Sequence, residues 1–211
     1  GAEDFDACRV AERWIFCGQR VTHAQINHGA VGVGQYCPVH VVDIEQEPEK
    51  ILKIALDIDP VLIGFSLIFQ FFIDRYASLL HLMRDNGLAC HFTMGGHFPS
   101  LSYEQTLELV PQLDSVVRFE GEATLLELVD AVSTNKEWRG VHGIAYRDGS
   151  EVVTTTARAL LDDLDQLPYP DRDYEPEMVL GRSIMPLLAS RGCARTCSFC
   201  SIHTFYRAAP G

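Results

Sequence analysis

The amino-acid sequence predicts an α/β fold built on a doubly wound parallel sheet. Strand-like and helix-like segments alternate through the middle of the chain, and this alternation places helices on both faces of a parallel sheet. Residues 61–66 (VLIGFS) form an almost continuous apolar run, which is typical of a strand buried on both faces. Right-handed crossovers between such strands give the doubly wound arrangement.

Hydrophobic periodicity and turn residues indicate the individual elements. The predicted strands are residues 40–44, 61–66, 88–94 and 115–119, with 13–21 as a first strand of poorer alternation and 23–37 as a glycine-interrupted helix. The predicted helices are 48–58, 72–85, one N-capped by Ser102 with Gln105 completing a capping box, and one that ends near Val132.

The last third of the chain departs from this alternation. Residues 143–147 and 151–155 flank Asp148-Gly149, a dipeptide typical of a tight hairpin turn. Residues 161–173 are acidic and rich in Pro, which indicates an extended linker, and 184–190 form a further strand-like run. We therefore divide the chain into an α/β domain over 1–135, a hairpin and linker over 136–180, and a third segment over 181–211.

The composition excludes several classes of protein. The 211 residues are 47% hydrophobic and 22% charged, which is ordinary globular usage, and the net charge is −12. An acidic chain repels phosphate backbones, so we expect no nucleic-acid partner. No apolar stretch is long enough to cross a bilayer and the N-terminus does not resemble a signal peptide, so we expect no membrane span. The odd number of seven cysteines disfavours a secreted disulfide framework and favours the reducing cytoplasm.

Three cysteines form the most specific motif in the sequence. Cys193, Cys197 and Cys200 follow the spacing C-x3-C-x2-C, with Phe199 just before the last cysteine. Thiolates are the ligands that iron–sulfur clusters need, and a loop of this spacing can wrap three sulfurs around one corner of a cubane, leaving one iron open. A structural zinc site with His203 as the fourth ligand is the alternative, although such sites usually use pairs of C-x2-C ligands.

A second candidate site lies where the predicted parallel strands end. Ligands of doubly wound folds bind at the carboxyl ends of the strands. The residues at three such ends are Ser66, Leu67, Gly95, Gly96, His97, Glu120, Gly121 and Glu122. Glycine lets the backbone approach a large ligand closely. A single glycine pair after a strand is more often a turn, but suitable loops after three strands of one sheet favour a binding edge.

The order of these features resembles the family in which a cobalamin (B12)-binding domain precedes a radical S-adenosylmethionine (SAM) barrel. The resemblance covers roughly residues 40–211 and includes the strand ends, the hairpin, the linker 164–173 (LDQLPYPDRD) and the cysteine motif. It implies a Rossmann-like, B12-binding fold whose strand-end residues line the corrin, with 184–190 as the first strand of the barrel. It further implies that the three cysteines hold a 4Fe-4S cluster whose open iron chelates SAM.

The same resemblance implies the chemistry of the full enzyme. SAM would be cleaved reductively, the resulting 5′-deoxyadenosyl radical would abstract a substrate hydrogen, and cobalamin would typically donate a methyl group. No D-x-H-x-x-G motif offers a histidine to the lower face of cobalt, and no motif indicates the substrate. Because the sequence stops at Gly211, shortly after the cysteines, we expect the rest of the barrel to be missing and these residues alone to be inactive.

Two other functions fit the same residues. The chain could be a corrin-binding module without activity of its own, which predicts cobalamin binding without SAM cleavage. It could instead be a zinc-stabilised α/β interaction domain, which predicts bound zinc and no iron. A nicotinamide cofactor is disfavoured, because the glycine-rich run 29–34 lacks the G-x-G-x-x-G spacing and does not follow a convincing strand.

Overall fold

A computed structural model of the chain describes residues 14–18, 39–44, 46–167, 177–184 and 190–208. Its main sheet has seven strands in the order β2-β1-β3-β4-β5-β6-β7. Adjacent strands among the first five are parallel, and these strands are β1 (Trp14–Gly18), β2 (Val39–Asp43), β3 (Leu62–Ser66), β4 (His91–Gly95) and β5 (Ser115–Val117). The predicted doubly wound parallel sheet is confirmed, including the first strand, whose sequence alternates poorly.

The predicted hairpin extends this sheet beyond β5. Strands β6 (Ile144–Asp148) and β7 (Glu151–Thr154) are antiparallel to each other, and β6 is antiparallel to β5. Gly149 lies in the turn with φ 61°, a conformation that glycine adopts at little steric cost. The hairpin is therefore continuous with the parallel strands through backbone hydrogen bonds.

Six α-helices are present in the described residues: α1 (Pro48–Ile58), α2 (Ile73–Asp85), α3 (His97–Leu101), α4 (Tyr103–Leu109), α5 (Glu122–Ser133) and α6 (Ile202–Ala208). The short helix α3 was not predicted. The prediction of a capping box at Ser102 is wrong, because the Ser102 side chain makes no capping hydrogen bond. Ser102 is instead a junction: its N–H donates to the Phe98 carbonyl and ends α3, while its carbonyl accepts from Thr106 and begins α4.

Buried side chains form a core on each face of the sheet. One core joins the sheet to α1, α2 and α4, with Phe65 and Phe92 in edge-to-face contact at 5.7 Å between ring centroids. The other core joins the sheet to α5 through Leu128 and Ile144, which are fully buried. Helices on both faces explain why residues 61–66 are apolar almost throughout.

Several predictions for the C-terminal third concern residues outside the described part. Ile184 ends a strand, β9 (Arg182–Ile184), that pairs with β8 (Glu177–Val179) in a separate antiparallel sheet that was not predicted. Residues 185–189 of the predicted barrel strand lie outside the described residues, as do 19–38 and the linker from 168 to 176. Within the described residues, no helix combines the length and apolar character needed to cross a membrane.

Candidate functional site at the carboxyl edge of the sheet

The carboxyl ends of the parallel strands are level with one another. Gly18 of β1 lies opposite Asp43 of β2 and Ser66 of β3, and Ser66 lies opposite Gly95 of β4. The strand order reverses at β1, because β2 lies on one side of it and β3 on the other. Doubly wound folds bind ligands in the crevice outside such a reversal. The structure therefore brings the predicted strand ends to one edge, and the crevice expected at the reversal lies between β1 and β3.

Leu67 and Gly96 meet backbone to backbone at this edge. The Leu67 N–H donates to the Gly95 carbonyl at 2.9 Å, and the Leu67 side chain is fully buried in the core. Gly96 has φ 112°, and a Cβ at this position would lie 2.3 Å from the Leu67 carbonyl oxygen. Gly96 is thus required by the close approach of two loops. Leu67 supports the edge from inside, and its side chain does not face outward.

Ser100, which sequence reasoning did not identify, links two loops of the edge. Its hydroxyl donates to the Gly96 carbonyl at 2.7 Å and accepts from the Phe119 N–H at 2.8 Å. Phe119 has φ 62°, a conformation that bulky residues rarely adopt and that persists only where the surroundings hold it. The Phe119 ring packs against Phe205 of α6, with 5.5 Å between ring centroids. The loop after β5 is therefore held by both α3 and α6.

His97 begins α3 and lies half-buried at the same edge. Its ring centroid is 4.6 Å from that of Phe205. Its Nε2 is buried and has no hydrogen-bond partner among the described residues. Burial lowers the pKa of His97, which favours the neutral imidazole. Leaving a buried polar atom without a hydrogen-bond partner costs free energy. A ligand group that formed a hydrogen bond with His97 Nε2 would remove this cost and would itself be stabilised.

Glu120 and Glu122, predicted to line the ligand, both contact an arginine of the chain itself. Arg191 Nη1 donates to Glu120 Oε1 at 2.8 Å, and Nη2 donates to Glu122 Oε1 at 2.5 Å. Burial by itself would lower the pKa of Arg191, but the hydrogen bonds and negative charges of the two carboxylates raise it. Between them, Gly121 lies beside Val117, whose Cγ1 is 3.4 Å from where a Cβ would stand. Contact of these three residues with a corrin remains a prediction.

The predicted cluster ligands lie in the loop that precedes α6. Cys193 and Cys197 are exposed, Cys200 is half-buried, and all three are free thiols. The Cys200 N–H donates to the Cys197 carbonyl at 3.1 Å, and the Arg195 N–H donates to Cys193 Sγ at 3.4 Å. In the described part of the chain, no group of three or more His, Cys, Asp or Glu side chains is arranged to hold a metal ion. The donors thus have the right chemistry, and their assembly around a cluster remains a prediction.

Two exposed aromatic residues at the edge were also missed. Phe69 and Phe71 lie in the segment between β3 and α2, are 53% and 70% exposed, and stack with 5.5 Å between ring centroids. Exposed apolar side chains grouped in this way mark surfaces that contact a ligand or another protein segment. The available signal was the concentration of phenylalanines at 69, 71 and 72, immediately after a strand end.

Among the described cysteines, Cys90 should resist alkylation while Cys193 and Cys197 react. Burial is the main cause that raises the pKa of Cys90 to about 12, so little thiolate exists there at neutral pH. In the folded chain, we expect iodoacetamide to modify Cys90 at least about tenfold more slowly than Cys193 and Cys197. Peptide mass spectrometry measures the three rates. The difference should vanish in denaturant. Equal rates in the folded chain would contradict the described burial.

Comparison with known proteins agrees with this geometry. Residues 30–129 match the B12 binding domain family. Over 154 residues the chain is 32% identical to an uncharacterised methyltransferase of Pyrococcus horikoshii, covering 72% of this chain and 33% of that protein. Over 123 residues it is 37% identical to the anaerobic magnesium-protoporphyrin IX monomethyl ester cyclase of Cereibacter sphaeroides, covering 54% of this chain and 20% of the cyclase. The chain thus spans a third or less of either relative.

The fold is shared with a solved enzyme. A cobalamin-dependent S-adenosylmethionine radical enzyme with aqua-cobalamin bound superposes with a TM-score of 0.62 at 24% identity, over 80% of this chain and 25% of that one. At this identity the likeness concerns the fold alone. Together with the family match and the curated relatives, it agrees with the resemblance found in the sequence: the chain carries a B12-binding domain that is related to cobalamin-dependent radical SAM enzymes, and it matches one portion of its longer relatives.

Proposed function

We propose that this chain binds cobalamin at the carboxyl edge of its sheet and supplies the three cysteine ligands of a 4Fe-4S cluster in a radical SAM enzyme that transfers methyl groups or performs related radical chemistry. The observation that carries this proposal is the packing of α6, which follows the cysteine loop directly. Phe205 of α6 contacts His97 and Phe119, both at the carboxyl edge. The segment with the cysteines is therefore attached to the edge where a corrin would bind.

The residues at the edge suit a large, polar-rimmed ligand. The level strand ends and the reversal at β1 favour a crevice there. The unpartnered Nε2 of His97 would gain a hydrogen bond from an amide group on the rim of a corrin. We propose Ser66, Gly95, Gly96 and His97 as the residues that face the corrin, and Leu67 as their support from the core.

The cysteine loop suits an iron–sulfur cluster by the nature of its donors. Cys193, Cys197 and Cys200 would bind three irons as thiolates, and the fourth iron would remain for SAM. When bound, the cluster would supply the electron that cleaves SAM, and cobalamin would carry the methyl group. The chain's own part is to hold the loop and orient it over the edge. The division into 1–135, 136–180 and 181–211 belongs to this proposal, with β6 and β7 continuing the sheet of the first part.

The test is anaerobic reconstitution of the chain with iron and sulfide, followed by titration with hydroxocobalamin. We expect about four irons and four sulfides per chain, together with a saturable change in the visible absorption of the corrin. The Cys193→Ala, Cys197→Ala, Cys200→Ala triple variant should lose the iron and retain the corrin, because α6 and the edge remain. A chain that binds neither iron nor corrin would refute the proposal.

The same measurement distinguishes the other two functions. Corrin binding without iron would indicate a binding module that lacks the cluster. Zinc without iron would indicate a zinc-stabilised interaction domain with His203 as a ligand. His203 lies on α6 and its buried Nδ1 has no partner among the described residues, so His203→Ala is the matched variant for the zinc outcome.

A further inference from the structure

Arg191 stands two residues before the first cysteine of the motif and is held by two carboxylates of the sheet edge. Its two terminal nitrogens donate separately, Nη1 to Glu120 and Nη2 to Glu122. The Arg191 side chain is 18% exposed, that of Glu120 10% and that of Glu122 26%. Ion pairs shielded to this degree hold their geometry better than surface pairs, and the planar guanidinium fixes direction as well as distance.

Glu120 also holds a third segment. Its other oxygen, Oε2, accepts a hydrogen bond from the Leu161 N–H at 2.8 Å, while Oε1 accepts from Arg191. One carboxylate of the loop after β5 therefore joins the beginning of the linker to the beginning of the cysteine loop. These three segments are distant in sequence, and this carboxylate and Arg191 fix their relative position together with the apolar packing of Phe119 against Phe205.

At the entrance of the cysteine loop, the described residues add one further contact, in which the Tyr206 hydroxyl of α6 interacts with the Gly192 backbone. Gly192 turns with φ 79° beside the ring of Tyr206, and every residue from 193 to 199 is exposed. At its far end the loop runs into α6, where Phe205 packs on the edge. The described contacts thus anchor the loop through Arg191 and Gly192 on one side and through Phe205 on the other.

We infer that Arg191 is a positioning residue, which fixes the cysteine loop against the sheet edge through Glu120 and Glu122. Insofar as the loop carries a cluster and the edge a corrin, this inference rests on the proposed function. Glu120 and Glu122 then act on the loop through Arg191, and neither needs to touch the corrin.

The first test needs no cofactor and uses hydrogen–deuterium exchange of the full chain, read by mass spectrometry. We expect Arg191→Ala to speed exchange of peptides within 190–208 by about tenfold or more, because the Cys200 and Phe205 amide bonds would open with the loop. Peptides within 48–133 should exchange as in the wild type. Arg158→Ala is the matched control, because Arg158 pairs with Glu127 of α5 without touching the cysteine loop.

Unchanged exchange of 190–208 in Arg191→Ala would overturn the inference, as would equal acceleration in Arg158→Ala. If Arg191→Ala loses protection throughout 48–133, exchange is measured in the Glu122→Gln variant instead, because this substitution weakens only the contact between Glu122 and Arg191. Wild-type exchange in that variant would equally overturn the inference.

The second test reports position. In chains reconstituted with cluster and cob(II)alamin, a reduced cluster held near the corrin should speed the magnetic relaxation of cobalt, seen by electron paramagnetic resonance. We expect Arg191→Ala to lose this effect with both cofactors still bound, and Arg191→Lys to restore part of it. Retention of the full effect in Arg191→Ala would overturn the inference. If the wild type takes up no iron, the proposed function fails, and the exchange measurement decides the role of Arg191 by itself.

Discussion

Replacing Gly96 with Ala should lower the free energy of unfolding by about 4 kcal/mol. Two causes add at this position. With φ 112° and ψ −174°, Gly96 occupies a region that is essentially restricted to glycine. The new Cβ would also lie 2.3 Å from the Leu67 carbonyl oxygen and 2.9 Å from its carbon. These are backbone atoms held by the hydrogen bond from Leu67 to Gly95, so they cannot move aside without breaking the edge.

Two other glycines separate these causes. Gly87 has φ 87° with no atom within 4 Å of a Cβ, so Gly87→Ala should show the conformational cost alone, about 1 kcal/mol. Gly95 needs no left-handed backbone and its nearest neighbour, the Val117 carbonyl oxygen, is 3.5 Å away, so Gly95→Ala should cost about 1 kcal/mol or less. Urea unfolding of the three variants provides the measurement. A Gly96→Ala cost equal to that of Gly87→Ala would show that the two loops do not meet as described.

The second large effect concerns the buried imidazole of His91 and acidic pH. His91 is 8% exposed, and its Nε2 lies 2.9 Å from Ser115 Oγ, which in turn donates to Thr93 Oγ1 at 2.8 Å. Its ring packs edge-on against Trp138, with 4.7 Å between centroids. Burial is the main cause that lowers the pKa of His91 from 6.5 to about 4; the charge of Asp114 opposes this shift, and those of Arg84 and Arg139 add to it.

The sign of the pH effect follows from linkage. The unfolded chain binds the proton more readily than the folded chain, so the contribution of neutral His91 is complete above pH 6.5 and is lost as the pH falls toward 4. The loss should reach about 3 kcal/mol. We expect the free energy of unfolding of the wild type, measured with denaturant, to fall over this interval. The fall should exceed that of the His91→Gln variant, whose side chain cannot titrate, by about the same amount.

An exposed histidine provides the control for this measurement. His81→Gln removes an imidazole from the surface of α2, where His81 lies 3.4 Å from Asp85. It should leave the loss of stability between pH 6.5 and pH 4 close to that of the wild type. If the wild type and His91→Gln lose the same stability over this interval, His91 is not buried as a neutral group.

Elements whose signals are local were predicted well. Helix α1 has the predicted bounds, 48–58, because Pro48 suits the first turn and an apolar face follows it at helical spacing. Strand β3 was found from its apolar run, and the hairpin from Gly149 in its turn. Each of these depends on the properties of a few consecutive residues.

Features that depend on distant residues were missed. Helix α3 has five residues. It is positioned by the contact of Gly96 with Leu67 and by the two hydrogen bonds of the Ser100 hydroxyl. A helix this short carries too little periodicity to be recognised. Leu67 was predicted to line a ligand because of its place after β3, yet its side chain points into the core.

The sequence by itself determined the fold class, the edge where the strands end and the resemblance to B12-binding domains, because strand patterning and motif spacing depend on residues that are close together in the sequence. Only the tertiary structure decided what the residues at that edge contact. Arg191 pairs with Glu120 and Glu122 across about 70 positions of the chain, and Phe205 reaches His97 across more than 100. No pattern in consecutive residues predicts such pairs, because they form only when the sheet brings its strand ends together and α6 packs against them.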